Sequence, residues 1–211
     1  MKDLLMLIET PYVDAQTLLG LLTKYQRPRE CISRMVKAGE LIRLKNGFYL
    51  IADRIIPKAK EGIPYEQVAN VLYGPSYVSL EWALSFYGMI PERVHTVTSM
   101  TLGKDKEFNT PVGSFTYHKL PSNCYSVGIT LKKSPDFFGN FLIASPEKAL
   151  ADLVFKTCKG LDKKQLNQEL IESRRMDVDC LQKLDKKLLA SIEEFYHSKR
   201  VSYLIDLLGS I

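Results

Sequence analysis

Apolar positions along the first fifty residues fall into short helical stripes and then into two β-prone runs. Leu4, Leu5, Leu7 and Ile8 form a brief apolar helix ending at Glu9-Thr10-Pro11. Asp14 is placed to cap a second helix whose buried face is Ala15, Leu18, Leu19 and Leu22. A third helix begins at Pro28, a residue suited to the first helical position because its missing N–H would be unpaired there anyway. Ile32, Met35 and Val36 give that helix one core-facing stripe, and Gly39 is a natural stop. Leu41-Ile42-Arg43-Leu44 and Phe48-Tyr49-Leu50-Ile51 then bracket Lys45-Asn46-Gly47. Asn-Gly between β-prone runs predicts a hairpin, since both turn residues need positive φ.

Beyond this unit, Ala52 to Gly62 is mixed in charge and unpatterned, with Pro57 inside it, and reads as a boundary. The remaining residues suffice for a separate core. The pattern predicts a helix at 65–73 with Val68, Val71 and Leu72 inward, and a Ser79-capped helix at 80–87 closed by Gly88. Within that helix Trp82 reads as a core anchor before a stacking platform. Strands are expected at 94–100, 113–120, 126–131 and 137–143, with Gly103 to Glu107 as a charged turn. Ser145-Pro146 opens a helix with Ala149, Leu150, Leu153 and Val154 as its apolar face. Further helices are expected at 163–173, 181–196 and 201–208. The expected fold class is α+β, with a winged helix-turn-helix over 1–52, a linker at 53–62, and a mixed α/β domain with a helical C-terminal part over 63–211.

A helix followed by a two-stranded wing implies DNA binding, with the second helix of the pair entering the major groove. The charge distribution agrees. The chain carries net charge +5, and residues 1–60 hold 11 Lys/Arg against 6 Asp/Glu while residues 61–211 hold 18 against 18. The whole excess lies where phosphates would be neutralised, although a charge cluster alone would equally suit a solvated face. Helical geometry makes Ser33, Arg34 and Lys37 the candidates for base edges and nearby phosphates. Arg27 and Arg29 flank the helix N-terminus, where free N–H groups also favour phosphate. Arg43 and Lys45 on the wing are expected to reach backbone or minor groove. Glu30 would repel phosphate and is expected to orient Arg34 through an i, i+4 pair.

Cys31, Cys124, Cys158 and Cys180 are far apart without metal-ligand spacing, and His95, His118 and His197 form no zinc-type pair. No metal and no cofactor is expected. His95 and His118 read as polar positions beside strands. Enzyme chemistry lacks its usual signatures: no Gly-x-Ser-x-Gly elbow, no Gly-rich phosphate loop, and no strand-borne Glu-x-Lys after an Asp. Gly113-Ser114 has no Asp-x-Asp following it, and Asp177-Val178-Asp179 has no Gly-Ser before it, so a nucleotidyltransferase centre is not expected either. The opening apolar stretch is too short for a signal peptide, with Asp3 and Glu9 in or beside it, and no run approaches a membrane span. The expected location is the cytoplasm.

Three segments together, YVSLEWALSFYGMIPERVHTVTSMT at 77–101, FNTPVGSFTYHKL at 108–120 and IASPEKALADLVF at 143–155, follow the basic N-terminal unit. In this combination the chain resembles the AbiEi-type antitoxins, transcriptional regulators of type IV toxin–antitoxin systems associated with abortive phage infection. The resemblance spans about residues 10–155. It implies a winged helix that represses its own operon by binding duplex DNA at inverted repeats in the promoter. It also implies a C-terminal domain that counters a nucleotidyltransferase-like toxin without a stable complex. No catalytic residue set comes with the family. Ser79, Glu81, Pro146, Glu147 and Lys148 match its motifs, and a structural role for them is the simpler reading. The alternative is a winged-helix repressor that responds to a small ligand held in the second domain and is unrelated to any toxin.

Overall fold

The computed structural model describes residues 2–55, 63–134 and 139–210 and shows a mixed α+β chain with two sheets. The N-terminal unit runs α1 (Lys2–Leu5), β1 (Tyr12–Asp14), α2 (Ala15–Leu21), α3 (Pro28–Lys37), β2 (Leu41–Lys45) and β3 (Phe48–Ile51). Asp14 caps α2 as expected, its carboxylate accepting from Thr17 N at 2.8 Å. Pro28 stands at the start of α3, and Gly39, at φ +71°, ends it. Asn46-Gly47 forms the turn, but only Gly47, at φ +73°, has the positive φ expected of both turn residues; the hairpin pairs Leu41 with Ile51 and Arg43 with Tyr49. A bulge between Arg43 and Lys45 offsets the last rung. β1 adds to the far side of β3, so the sheet order is β1-β3-β2. Leu18, Leu22, Cys31, Ile32, Met35 and Leu41 are buried together beneath the helices.

α4 (Ala52–Ile55) makes the start of the expected linker one helical turn, and residues 56–62 lie outside the described part of the chain. The second unit runs α5 (Tyr65–Leu72), β4 (Ser76–Val78), α6 (Leu80–Phe86), β5 (Thr96–Thr101), β6 (Lys106–Thr110) and β7 (Gly113–Lys119). It continues through β8 (Ile129–Lys133), β9 (Asn140–Ala144) and α7 (Pro146–Thr157). Its sheet has the order β6-β7-β5-β4-β9-β8, with β5/β7 and β4/β9 parallel and the other pairs antiparallel. The tail is α8 (Lys163–Gln168) with a π turn at Glu169–Ser173, then α9 (Val178–Gln182), α10 (Lys186–Tyr196) and α11 (Lys199–Ser210).

Three expectations need correcting. The charged turn at 103–107 is partly β6, an edge strand whose Lys106 and Glu107 face water. The helix expected at 181–196 is two helices, because Asp185 caps α10 by accepting from Lys187 N and Leu188 N at 2.9 and 3.1 Å. The two units also share a core. Leu44 and Leu50 of the hairpin belong to the large apolar cluster of the second unit, with Tyr12, Ile42 and Phe48 packed against it.

Candidate nucleic-acid interface and the buried polar network

Seven side chains were expected to form one basic surface, and the structure sorts them into three groups. Arg29 and Ser33 of α3 and Arg43 of β2 line one open groove of about 370 Å3, together with Gln16 at the start of α2 and Asn46 and Tyr49 of the hairpin. With about 100° per residue, Arg29, Ser33 and Lys37 share an arc of about 80° on α3, so Lys37 continues this stripe. All three are exposed. Arg43 donates to Asn46 Oδ1, which fixes its guanidinium over the turn. Ser33 Oγ donates back to Arg29 O at 3.1 Å, which leaves the hydroxyl oxygen able to accept a further hydrogen bond.

Arg27 and Arg34 are exposed but engaged locally. Arg27 Nη1 lies 3.1 Å from Glu30 Oε1, so Glu30 balances Arg27 and does not orient Arg34 as expected. Arg34 Nη2 reaches back to Cys31 Sγ at 3.3 Å on the flank of the helix. Lys45 is the clear departure. It points away from the groove, donates to Leu72 O of α5, and stands 5.6 and 6.0 Å from the ring centroids of Phe48 and Phe108. Partial burial there lowers its pKa. The bulge after Arg43 gives the physical reason: it breaks the strict alternation of the strand, sending Arg43 to water and Lys45 towards α5. Lys45 ties the hairpin to the second unit. Gln16, Asn46 and Tyr49 were not singled out beforehand, since a helix-start glutamine and a turn asparagine have ordinary structural explanations.

The second unit holds a different kind of polar cluster. Asp152 of α7 is fully buried and accepts from Ser79 Oγ at 2.7 Å, from Tyr77 OH at 3.0 Å, and from Tyr196 OH of α10. Lys148, one turn earlier on α7, lies 3.7 Å from Asp152 and donates to Tyr196 OH at 2.7 Å and to Cys124 O. Burial pushes the Asp152 carboxyl up and the Lys148 ammonium down, while each charge opposes the shift of the other. Tyr77 and Tyr196 are pushed well up by burial and by the adjacent carboxylate. Ser79 precedes α6 but makes no capping bond, because its hydroxyl is spent on Asp152. The chain leaves it through Leu80 at φ +57°, a conformation that costs a non-glycine residue about 1–2 kcal/mol.

The remaining motif residues also have packing partners. Glu81 pairs with Arg174 at 3.0 Å, Glu147 accepts from Asp185 N at 2.9 Å, and Pro146 starts α7 behind its capping Ser145. Thus the 77–101 and 143–155 segments meet across β4, α6 and α7, and their polar residues interlock. Among the described residues no group of three or more His, Cys, Asp and Glu is placed to hold a metal ion. No helix there is long and apolar enough to cross a membrane. No protein-family model matches this chain, and no curated protein matches it either.

Proposed function

We propose that the N-terminal unit is a winged helix-turn-helix that binds duplex DNA, and that the chain is an autoregulatory antitoxin. The observation that carries the DNA reading is the groove between α3 and the hairpin turn, where Arg29, Ser33 and Arg43 converge with Gln16 and Asn46. An outward helix stripe beside a β-turn offers charge for phosphates and paired donors and acceptors for base edges. The basic excess of residues 1–60 over the neutral remainder supports it. Lys45 drops out of the binding set, while Lys37 remains as the continuation of the stripe. The antitoxin part rests on the resemblance of three segments to AbiEi-type proteins, with a nucleotidyltransferase-like toxin as functional partner and the promoter's inverted repeats as operator.

The test uses the full chain. Arg29→Ala and Arg43→Ala are each expected to weaken binding to a promoter duplex and to reduce the log–log salt slope by about 0.9 per lost phosphate contact. Unchanged affinity and slope in the double variant would remove the groove from the interface. In cells, a variant with Arg29, Lys37 and Arg43 all replaced by Ala is expected to lose repression yet still protect against the cognate toxin. Protection lost in a folded, abundant variant would show that the two activities are not separable.

A further inference from the structure

On the second unit, away from the basic helix, the β5–β6 loop faces the end of β7 and the last turn of α7 across a groove of about 960 Å3. Three lysines line it: Lys104 from the loop, Lys119 from β7 and Lys156 from α7. The single acid among its lining residues is Asp105, which leaves a formal surplus of two positive charges. Asp105 sets up the cations more than it neutralises them. One of its oxygens accepts from Lys119 N, and the other lies 3.8 Å from Lys156 Nζ. Lys156 Nζ is further held 3.4 Å from Lys119 O, so the ammonium of Lys156 is fixed against the backbone of β7, while the exposed Lys104 and Lys119 side chains reach in from the loop and the strand.

The loop is fixed as well. Tyr73 OH accepts from Lys104 N at 3.2 Å, and Thr101 Oγ1 accepts from Gly103 N at 3.1 Å. A Cβ on Gly103 would stand 2.5 Å from Tyr73 OH, so only glycine permits this seating. The floor is apolar, made by Leu102, Leu120 and Pro121, and Ser122 and Asn123 stand at its edge. A concave site of this volume, with an apolar floor and a few convergent polar groups, has the dimensions of a small-molecule pocket. Lysine ammonium groups are point-charge partners for phosphate.

We propose that this groove binds a phosphorylated small molecule of nucleotide size, its phosphates between Lys104, Lys119 and Lys156 and its apolar part on Leu102, Leu120 and Pro121. The proposal is independent of the DNA reading, because none of these residues lines the α3 groove. The preformed loop and the held Lys156 ammonium lower the ordering cost of binding, which then falls mainly on the Lys104 and Lys119 side chains.

The test is calorimetric titration of the full chain with ADP and, separately, with ribose. Saturable binding of ADP with no binding of ribose is expected, and Lys119→Glu and Lys104→Glu are each expected to weaken ADP by at least about tenfold, the effect of 1.4 kcal/mol. Lys186→Glu, an exposed change on α10 outside the groove, is expected to leave ADP binding unaltered. Failure of ADP to bind the wild-type chain, or equal loss in all three variants, would overturn the proposal. It would also fall if ADP fails while Lys119→Glu abolishes binding of a random-sequence duplex, since the groove would then serve nucleic acid. Circular dichroism of each variant separates lost binding from lost folding.

Discussion

The molecule carries two polar clusters built on opposite terms. In the groove beside α3, Arg29 and Arg43 are exposed and make few internal bonds, and exposed Lys37 continues the same helix stripe, so the surface carries one sign of charge. Around Asp152, every polar group is enclosed and each donor has an acceptor. An open cluster of like charge has little to contribute to folding and much to offer an anionic partner. A sealed cluster of balanced charge contributes nothing to recognition but fixes how α7, β4 and α10 meet. The motif residues of the second unit therefore record packing, whereas the exposed basic residues of the first record surface chemistry.

The comparison is broken most directly at Asp152. Asp152→Ala leaves the Lys148 ammonium buried without its counter-charge and three hydroxyls without an acceptor, a change expected to destabilise the fold by about 3–5 kcal/mol. Replacing both members, Lys148→Met with Asp152→Leu, is expected to cost less than Asp152→Ala alone, because no uncompensated charge remains. Urea midpoints of the three proteins decide it. A double variant worse than Asp152→Ala would mean that hydroxyl satisfaction, and not charge pairing, dominates the network.

The shared core supplies the next effect. Leu50 is fully buried on the hairpin yet packs within the second unit's cluster, so Leu50→Ala is expected to cost about 2–5 kcal/mol. The loss should appear as one cooperative transition seen by probes in both units. Two separated transitions, with only the N-terminal one moved, would show that the hairpin's contact with α5 and β6 is weak. Arg29→Ala and Arg43→Ala are expected to shift stability by no more than about 0.5 kcal/mol while changing DNA affinity. Lys45→Ala should do the reverse, with a loss of about 1 kcal/mol in stability for its bond to Leu72 O and no change in the salt slope.

These contrasts also mark where the sequence was legible. Local rules hold wherever a short motif satisfies its own backbone: the Asp14 cap, Pro28 at the start of α3, and Ser145-Pro146 at the start of α7; the turn at Asn46-Gly47 falls where expected, but with positive φ at Gly47 alone. They fail where tertiary partners compete. Ser79 had the right place for a cap, but Asp152, seventy-three residues away, takes its hydroxyl. Lys45 looked like a wing cation until a one-residue bulge turned it round. β6 was masked by its charges, which are those that keep an edge strand from pairing with other chains. The break before α10 follows from Asp185, whose capping role is visible only once Glu147 is seen to hold its backbone N–H. The basic stripe was readable as composition and helical phase, but the groove's Gln16 and Asn46 depend on how three elements converge.

The smallest effect concerns pH and lies on the strand that borders the proposed phosphate groove. His118 on β7 is half-buried, and burial, aided by the Lys156 ammonium, lowers its pKa from the ordinary 6.5, against the opposing pull of Asp105 and Glu81. The unfolded chain therefore binds this proton first as pH falls. Stability is unaffected above the unfolded value, declines as pH drops through about 6.5, and levels off below the folded value. Asp105 acts in the opposite region: the hydrogen bond from Lys119 N holds its carboxyl below the ordinary 3.8, so its contribution is present above that value and lost only as pH falls further. The two windows open at different points, near 6.5 for His118 and near 3.8 for Asp105. Urea midpoints measured between about pH 7.5 and pH 5 should accordingly slope downward with falling pH in the wild-type chain, and His118→Gln should flatten that slope. A slope unchanged in His118→Gln would assign the proton to another group and show that the histidine is not held in its neutral form by the wall it shares with Lys156.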